Sequence, residues 1–241
     1  MTKISRRGFY EEDKRWFSRK EIIRLSKAQE EIQWLINREY KILPVVTFVG
    51  DRYQFSLRQR DALKRSTCTE EKKQNRISKA IKIESIKDGS IYIDGFNLII
   101  TLEVALSGGT LIYCNDNNIR DLAGLRGTYK IIDKTEEALR IIGEFLNSHE
   151  AKEVKFYLDS PVSNSGKLKS KILEYSSMYN FKTEVELVNN ADVVLERLGR
   201  VVSSDSAIID NCISYFNLNK SIINEYIKEA RIINLSGNIN Q

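Results

Sequence analysis

The pattern of hydrophobic and polar positions divides the chain into two parts. Through the first 82 residues, apolar side chains recur every three or four positions, which predicts amphipathic helices. The clearest run contains Ile22, Leu25, Ala28, Ile32 and Leu35. This half of the chain is therefore predicted to be helical.

Two pairs of residues in this half have the spacing of a capping box, in which a serine begins a helix and a Glu or Gln follows three positions later. The pairs are Ser18 with Glu21 and Ser56 with Gln59. Between the two predicted helices, the Leu43-Pro44 dipeptide interrupts the helical pattern. The apolar residues 45–49 that follow are left without an assignment.

From residue 85 onward, short apolar runs alternate with amphipathic segments. Strands are predicted over residues 91–94, 110–114, 154–158, 183–188, 201–203 and 231–235. Residues 119–127 are assigned to a short helix or loop. The alternation predicts an α/β fold with a Rossmann-like, mostly parallel sheet that has helices on both faces. We expect two domains, a small basic helical module over residues 1–84 and an α/β domain over residues 85–241.

Charge is divided unevenly between the two parts. Residues 1–82 contain 21 Lys and Arg against 11 Asp and Glu, whereas the rest of the chain contains 17 against 22. A basic region joined to an acidic one indicates that the first part binds a polyanion such as nucleic acid. The alternative is that the basic side chains are only solvated on helix surfaces.

Composition excludes several kinds of site. His149 is the only histidine, so neither a Ser-His-Asp triad nor a multi-histidine metal site is available. Three isolated cysteines do not indicate a disulfide framework or a thiolate zinc site. Any metal is therefore held by oxygen ligands, which favours Mg²⁺ or Mn²⁺. The chain contains no apolar run of membrane-spanning length and no signal peptide, so we expect no membrane partner and a cytoplasmic location.

Four aspartates share a predicted position at the carboxyl edge of the sheet. Asp94 and Asp159 end predicted strands, Asp205 follows another, and Asp192 begins a short helix. Ligands of open α/β sheets bind at this edge. Carboxylates gathered there repel one another unless a divalent cation neutralises them, so the set predicts a metal site for two-metal phosphodiester hydrolysis. The alternative is that each aspartate caps a helix.

The motifs around these aspartates occur in the order found in a known superfamily. They are Asp94-Gly95-Phe96-Asn97, then Leu158-Asp159, then Ala191-Asp192 with Glu196, then Val201-Val202-Ser203-Ser204-Asp205. This succession resembles the PIN-like nucleases and is most similar to their NYN branch, over residues 90 to 212. The basic helical module ahead of such a domain also resembles an uncharacterised group of prokaryotic proteins, which implies architecture and no activity.

The resemblance implies a PIN-like α/β domain and a metal-dependent nuclease activity. It implies metal-binding roles for Asp94, Asp159, Asp192 and Asp205, and a role for Asn97 in orienting a phosphate or a water. The chain departs from the typical pattern in residues 115–127 and in the loop at residues 160–166, so the substrate is left open.

Arg120 and Arg126 lie within residues 115–127 and are candidates to neutralise a scissile phosphate in the transition state. Alternatively, Arg120 pairs with Asp116 or Asp121 in a structural network.

Further residues are candidates for nucleic-acid binding. Basic side chains interleaved with an aromatic residue could bind phosphates and stack a base, unless the aromatic residue belongs to the core. These candidates are Arg52, Tyr53, Arg58, Arg60 and Lys64. Ser163 and Ser165 precede a predicted helix, where they either hold a phosphate or form a turn with a helix cap.

The sequence thus predicts a nuclease that uses Mg²⁺ or Mn²⁺ and cleaves nucleic acid, with RNA favoured over DNA. The first alternative is a protein with the same fold that binds nucleic acid without cleaving it. A small-molecule phosphatase is less favoured, because haloacid-dehalogenase-like phosphatases usually have a second Asp where Phe96 stands. Whether the chain forms a homo-oligomer is left open.

Overall fold

The structure is a computed structural model that describes residues 5–124 and 127–237. The helices are α1 (Asp13–Trp16), α2 (Arg19–Ile36), α3 (Ile42–Tyr53), α4 (Leu57–Ser66), α5 (Glu70–Lys79), α6 (Gly95–Leu106), α7 (Asp133–Ser148), α8 (Ser165–Ser176), α9 (Ala191–Leu195), α10 (Ser206–Asn211) and α11 (Leu218–Tyr226). The strands are β1 (Ile91–Asp94), β2 (Leu111–Tyr113), β3 (Ile119–Asp121), β4 (Glu153–Asp159), β5 (Lys182–Val188), β6 (Val201–Val202), β7 (Tyr215–Phe216) and β8 (Ile232–Asn234). A 3₁₀ turn at Ile83–Asp88 leads into β1.

The larger sheet has five strands in the order β5-β4-β1-β6-β7, and every pairing is parallel. The chain builds outward from β1 through β4 to β5, then returns to the other side of β1 with β6 and β7. The strand order therefore reverses between β1 and β6, which is where open α/β sheets bind ligands. This sheet, with its flanking helices and the helical N-terminal region, confirms the predicted fold class.

Alternate side chains of the strands face two different cores. Ile93, Phe156 and Val202 pack into the large core with α6 and α7. Their neighbours Tyr157 and Val201 face the opposite side and pack with Ala191, Leu195, Ile208 and Ile209 of α9 and α10. Since successive strand residues point to opposite faces, both faces of the sheet are covered by helices.

Helix α6 is the central apolar helix of the large core. Nearly all of its residues are buried, including Leu98, Ile99 and Leu102. At 12 residues it is shorter than the roughly 20 that a bilayer requires. Within the described part of the chain, no helix has the length and apolarity needed to cross a membrane.

The remaining strands form a second sheet in the order β3-β2-β8. β2 and β3 pair antiparallel as a hairpin, and β8 joins β2 in parallel. The assignment of residues 119–127 to a helix or loop was therefore wrong at Ile119–Asp121. The hairpin forms because Asn117 adopts a left-handed conformation, with φ of 64°, in the turn that reverses the chain.

The helical region packs directly on this small sheet. One apolar core contains Leu25 and Ile32 of α2 and Val49 of α3 together with Ile112 of β2 and Ile233 of β8. The core thus crosses the predicted boundary between residues 84 and 85. The division of the chain into two domains stays a prediction.

The helix starts differ in part from the sequence-based expectation. Ser56 and Gln59 form the predicted capping box, with the serine hydroxyl accepting from the Gln59 amide and the glutamine accepting from the Ser56 amide. Ser18 precedes α2 but makes no side-chain capping bond, so that capping-box prediction was wrong. Pro44 lies in the first turn of α3, where its missing N–H costs no helical hydrogen bond, and residues 45–49 are helical.

Candidate active site at the carboxyl edge

Asp94 lies where β1 ends and α6 begins. Its Oδ1 accepts a hydrogen bond from the Asn97 amide at 3.2 Å, which makes it the cap of α6, and its Oδ2 accepts one from the Ser203 hydroxyl at 3.0 Å. Burial raises the pKa of Asp94, these two hydrogen bonds oppose the rise, and the negative charges of Asp192 and Asp205 add to it, so that the pKa is about 7. A buried carboxylate that holds its proton near neutral pH is unusual and marks this edge as a functional candidate.

Gly95, the next residue, allows α6 to approach β4. A Cβ at this position would lie 2.6 Å from Cδ2 of the buried Leu158 and 3.3 Å from the Tyr157 carbonyl oxygen. Gly95 does not have positive φ, so close packing rather than turn conformation requires a glycine here. The glycine thereby fixes the position of Asp94 next to β4.

Asn97 holds the loop that follows β6. Its Oδ1 accepts hydrogen bonds from the Ser204 amide at 2.9 Å, from the Ser204 hydroxyl at 3.0 Å and from Asn219 Nδ2 at 3.4 Å. The Oδ1 of Asn219 is buried without a hydrogen-bond partner among the described residues. The side chain of Asn97 thus positions the loop that leads to Asp205, and its proposed contact with a phosphate or water stays a prediction.

Asp205 is exposed and begins α10. Its Oδ1 accepts from the Ala207 amide at 2.7 Å, and its own amide donates to the Ser203 hydroxyl at 3.0 Å. Ser203 therefore connects Asp205 to Asp94 by two hydrogen bonds. Neither Ser203 nor Asn219 was a sequence candidate. Ser203 could have been recognised as a site residue because it lies two residues before Asp205. Nothing in the sequence pattern indicated Asn219.

Asp159 and Asp192 lie together at the start of α9. Asp159 ends β4 and its Oδ1 accepts from the Ala191 amide at 2.8 Å, so it caps a helix that begins 32 residues later. Asp192 is exposed and makes no side-chain hydrogen bond to the described residues. Partial desolvation of the Asp192 carboxylate raises its pKa most. The negative charges of Asp205, Asp159 and Glu196 raise it further, to about 6.

The four predicted aspartates therefore come to one edge of the sheet and sense each other's charge. Hard carboxylate oxygens in a repelling group are the donor chemistry that Mg²⁺ and Mn²⁺ prefer. Among residues 5–124 and 127–237, however, no three acidic, His or Cys side chains converge in an arrangement that could hold a metal ion. Two of the four, Asp159 and Asp205, point into helix caps. The chemistry of the donor set therefore fits such a cation, whereas the observed side-chain positions are those of helix caps.

Arg120 is buried in an ion-pair network behind this edge. Its guanidinium pairs with Asp116 at 2.6 Å and donates from Nε to the Ser204 carbonyl at 2.7 Å. Asp116 also pairs with Arg76 of α5 at 2.6 Å, and Arg76 pairs in turn with Asp210 of α10 at 2.6 Å. The structure therefore contains the ion pair with Asp116 that was one of the two alternatives for Arg120. Arg126, the other arginine candidate, lies outside the described residues.

The candidates for nucleic-acid binding on α3 and α4 have structural partners, with one exception. Arg52 pairs with Glu31 at 3.3 Å, Arg58 with the buried Asp13 at 2.6 Å, and Arg60 with Asp51 at 2.7 Å. Tyr53 donates to Glu31 at 2.9 Å and stacks on Phe55. Lys64 is exposed and makes no ion pair with the described residues. Lys64 is thus the candidate of this group with an uncommitted charge.

The hydroxyls of Ser163 and Ser165 are also engaged by the protein. Ser163 Oγ accepts from the Tyr129 amide at 3.1 Å, and Ser165 Oγ donates to the Ser160 carbonyl at 3.3 Å. Asn164 has φ of 63° in the same loop and donates to the Tyr129 carbonyl at 2.7 Å. The structure thus has a turn here, and phosphate binding by these residues stays a prediction.

A cavity of about 520 Å³ lies between the helical region and this edge. Lys64 and Arg65 of α4 line it, as do Asn97, Ser204 and Asp205. The cavity therefore connects the basic helices to the loop that carries one of the four aspartates.

Comparison with protein-family models assigns the chain to a family. A domain of unknown function (DUF5616) matches residues 83–221, which is more than half of the chain. The chain belongs to the DUF5616 family. A protein of unknown function family (DUF434) matches residues 24–79, in the helical region that precedes the DUF5616 domain.

The DUF5616 match contains all four aspartates of the edge as well as Asn97 and Ser203. An uncharacterized protein, MJ0935, from Methanocaldococcus jannaschii is 36% identical to the chain over 185 residues, which cover 77% of this chain and 88% of that protein. No solved structure matches the chain.

Proposed function

We propose that the carboxyl edge of the DUF5616 domain hydrolyses phosphodiester bonds of nucleic acid with the help of Mg²⁺ or Mn²⁺. The observation that carries this proposal is the meeting of Asp94, Asp159, Asp192 and Asp205 where the strand order reverses, with raised pKa values of Asp94 and Asp192. Carboxylates that repel one another in this way gain most from a divalent cation. RNA is the favoured substrate because the motifs around these aspartates resemble the NYN branch.

The protein's own side chains would have distinct tasks in this reaction. Asp94 is fixed by Ser203 and the α6 backbone, so it provides a ligand of constant position. The Asp192 carboxylate makes no hydrogen bond to the described residues, so it is available as a ligand. Asp159 and Asp205 would rotate out of their capping hydrogen bonds to complete the ligand set. A bound Mg²⁺ or Mn²⁺ would polarise the phosphoryl group and lower the pKa of a water. Arg120 keeps the Ser204 backbone in place and so positions the neighbouring Asp205.

A cleavage assay tests the proposal. Labelled single-stranded RNA and DNA are incubated with the full-length protein in Mn²⁺, in Mg²⁺ or in EDTA. We expect cleavage in either metal, faster for RNA, and no cleavage in EDTA. Cleavage that continues unchanged in EDTA would contradict the role of the carboxylates.

Binding without turnover is the second candidate function. It is favoured by the absence, within the described residues, of three side chains already arranged to hold a metal. Melting temperatures discriminate between the two functions, because a ligand of the native state must stabilise that state. No change in melting temperature at millimolar Mn²⁺ or Mg²⁺, together with RNA binding and no cleavage, would favour the binding protein.

A further inference from the structure

The cavity between the helical region and the carboxyl edge has two chemically different walls. One wall is basic and comes from α4 and α5, and the other reaches the loop after β6. We propose that this cavity binds one nucleotide of a single-stranded nucleic acid, adjacent to the phosphodiester bond at the carboxyl edge. This assignment rests on the proposed function, because it treats the edge as the place of cleavage.

The charge of the cavity fits a phosphate. Five cationic side chains and three acidic ones line it among the described residues: Lys64, Arg65, Lys72, Arg76 and Arg120 against Asp121, Asp205 and Asp210. Arg76 and Arg120 are buried and form ion pairs with Asp116, so their side chains have fixed positions in the lining of the cavity. Lys64 is exposed, and its ammonium can reach a phosphate without first breaking an ion pair with a described residue. Arg65 and Lys72 are paired with Asp61 and Asp210, so Lys64 is the lining cation whose charge is available, and an exposed ammonium attracts a phosphodiester.

The other end of the cavity fits a base. Ile36 at the end of α2 and Ile42 at the start of α3 provide an apolar surface, and Tyr40 lies between them in the chain. The Tyr40 side chain is 59% exposed, so its ring is available for stacking. Aromatic rings that stack bases next to basic side chains are the usual elements of single-strand binding sites.

The cavity is continuous with the proposed site of cleavage. Asn97 and Ser204, which hydrogen-bond to each other at 2.9 Å, both line it, and so does Asp205. Asp205 is also connected to Asp94 through the hydroxyl of Ser203. A nucleotide with its base near Tyr40 and its phosphate near Lys64 would therefore direct the next phosphodiester bond toward Asp205.

The size of the cavity selects for a single strand. A volume of about 520 Å³ is within the range of sites for small ligands, which run from about 300 to 1,000 Å³. A single nucleotide is a ligand of this size. A duplex, whose major groove alone is about 12 Å wide, is much larger than a cavity of this volume.

The test measures binding without cleavage. Fluorescence anisotropy in EDTA follows a labelled RNA of about eight nucleotides, the DNA of the same sequence and the RNA duplex. We expect Tyr40→Ala and Lys64→Ala each to weaken single-strand binding about fivefold or more. Lys64→Ala should also lower the salt dependence by about one counterion, which a merely structural effect would not do.

Two variants serve as controls. Lys20→Ala removes an exposed lysine near the start of α2, about 24 Å along the helix from Ile36. Phe48→Ala removes an exposed aromatic ring of α3 that does not line the cavity. Both should bind like the wild-type chain. All four side chains are exposed, so unchanged melting temperatures are expected and verify that each variant is folded.

The outcomes separate this inference from the proposed function. Wild-type affinity in both cavity variants, or tighter binding of the duplex than of the single strand, would overturn the cavity assignment even if Mn²⁺-dependent cleavage occurs. Loss of affinity in both variants without any cleavage would support the cavity and overturn the nuclease. Tighter binding of RNA than of DNA identifies RNA as the ligand, and the reverse order identifies DNA.

Discussion

At the scale of single residues, Asp116 is a buried carboxylate that pairs with two buried arginines. It is buried at 1% exposure between Arg76 and Arg120, with both ion pairs at 2.6 Å. Burial by itself would raise the pKa of Asp116, but Arg120 and then Arg76 lower it to about 2. Without Asp116, two buried guanidinium groups would lose their shared partner. This residue therefore keeps Arg76 and Arg120, which line the cavity, in place.

Asp116→Asn is expected to destabilise the protein by about 3–5 kcal/mol, because it leaves the buried guanidinium of Arg120 uncompensated. Urea unfolding at pH 7 measures the loss. Glu30→Gln, which changes an exposed acid on α2, is the matched control and should have little effect. A loss below about 1 kcal/mol for Asp116→Asn would contradict the account of the network.

The same ion pairs predict a pH dependence. The pKa of Asp116 is lower in the folded state than its ordinary value of 3.8, so its contribution to stability is present above about pH 4 and is lost as the pH falls toward 2. The wild-type protein should lose about 2 kcal/mol more than Asp116→Asn over this interval. Parallel acid titrations of the unfolding free energy compare the two proteins.

The four aspartates of the carboxyl edge could be predicted from the sequence more easily than the residues that hydrogen-bond around them. Asp94, Asp159, Asp192 and Asp205 were identifiable because strand ends and helix starts are visible as changes in apolar pattern. The hydrogen bonds of Ser203 and Asn219 depend on loops that meet only in three dimensions. Local sequence does not encode which side chains such loops bring together.

At the scale of elements, the turn from β1 into α6 determines where Asp94 lies. Gly95 brings the start of α6 against Leu158 and Tyr157 of β4, at distances that leave no room for a Cβ. The prediction of a strand followed at once by a helix was correct because both have strong apolar patterns. The close approach to β4 was not predictable, because it depends on a strand more than 50 residues away.

Gly95→Ala is expected to destabilise the protein by about 1–3 kcal/mol through overpacking, and to displace Asp94. Thermal and urea unfolding measure the change. Gly166→Ala is the control, since a Cβ at this position near the start of α8 would meet no atom of the described residues within 4 Å. The control should be neutral or slightly stabilising. Equal stability of the two variants would contradict the packing role of Gly95.

At the scale of the whole molecule, the helical region and the small sheet depend on each other. The large parallel sheet was predictable because its strands and helices alternate regularly along the sequence. Two strands of the small sheet, β2 and β8, were predicted over residues 110–114 and 231–235, but β3 and the pairing into a separate sheet were not, because β3 has three residues and β8 pairs with a strand about 120 residues earlier. Its apolar residues Ile112 and Ile233 are covered by α2, α3 and α4.

A fragment that begins at residue 83 is therefore expected to be less stable than the full chain. Removal of the helices exposes the apolar side of the small sheet, which would bind hydrophobic dyes and promote aggregation. Thermal unfolding and dye binding compare the fragment with the full chain. A fragment that unfolds cooperatively at the full-length melting temperature would instead support two independent domains.

The measurement that tests the central claim most directly is the rate of Mn²⁺-dependent cleavage of single-stranded RNA by wild-type protein and by Asp94→Asn. The control is Asp88→Asn, which changes an exposed aspartate before the opposite end of β1. We predict that Asp94→Asn lowers the rate at least about 100-fold, because a ligand of the reacting centre is lost, and that Asp88→Asn does not change it. Cleavage by Asp94→Asn at the wild-type rate would contradict a catalytic site at the carboxyl edge.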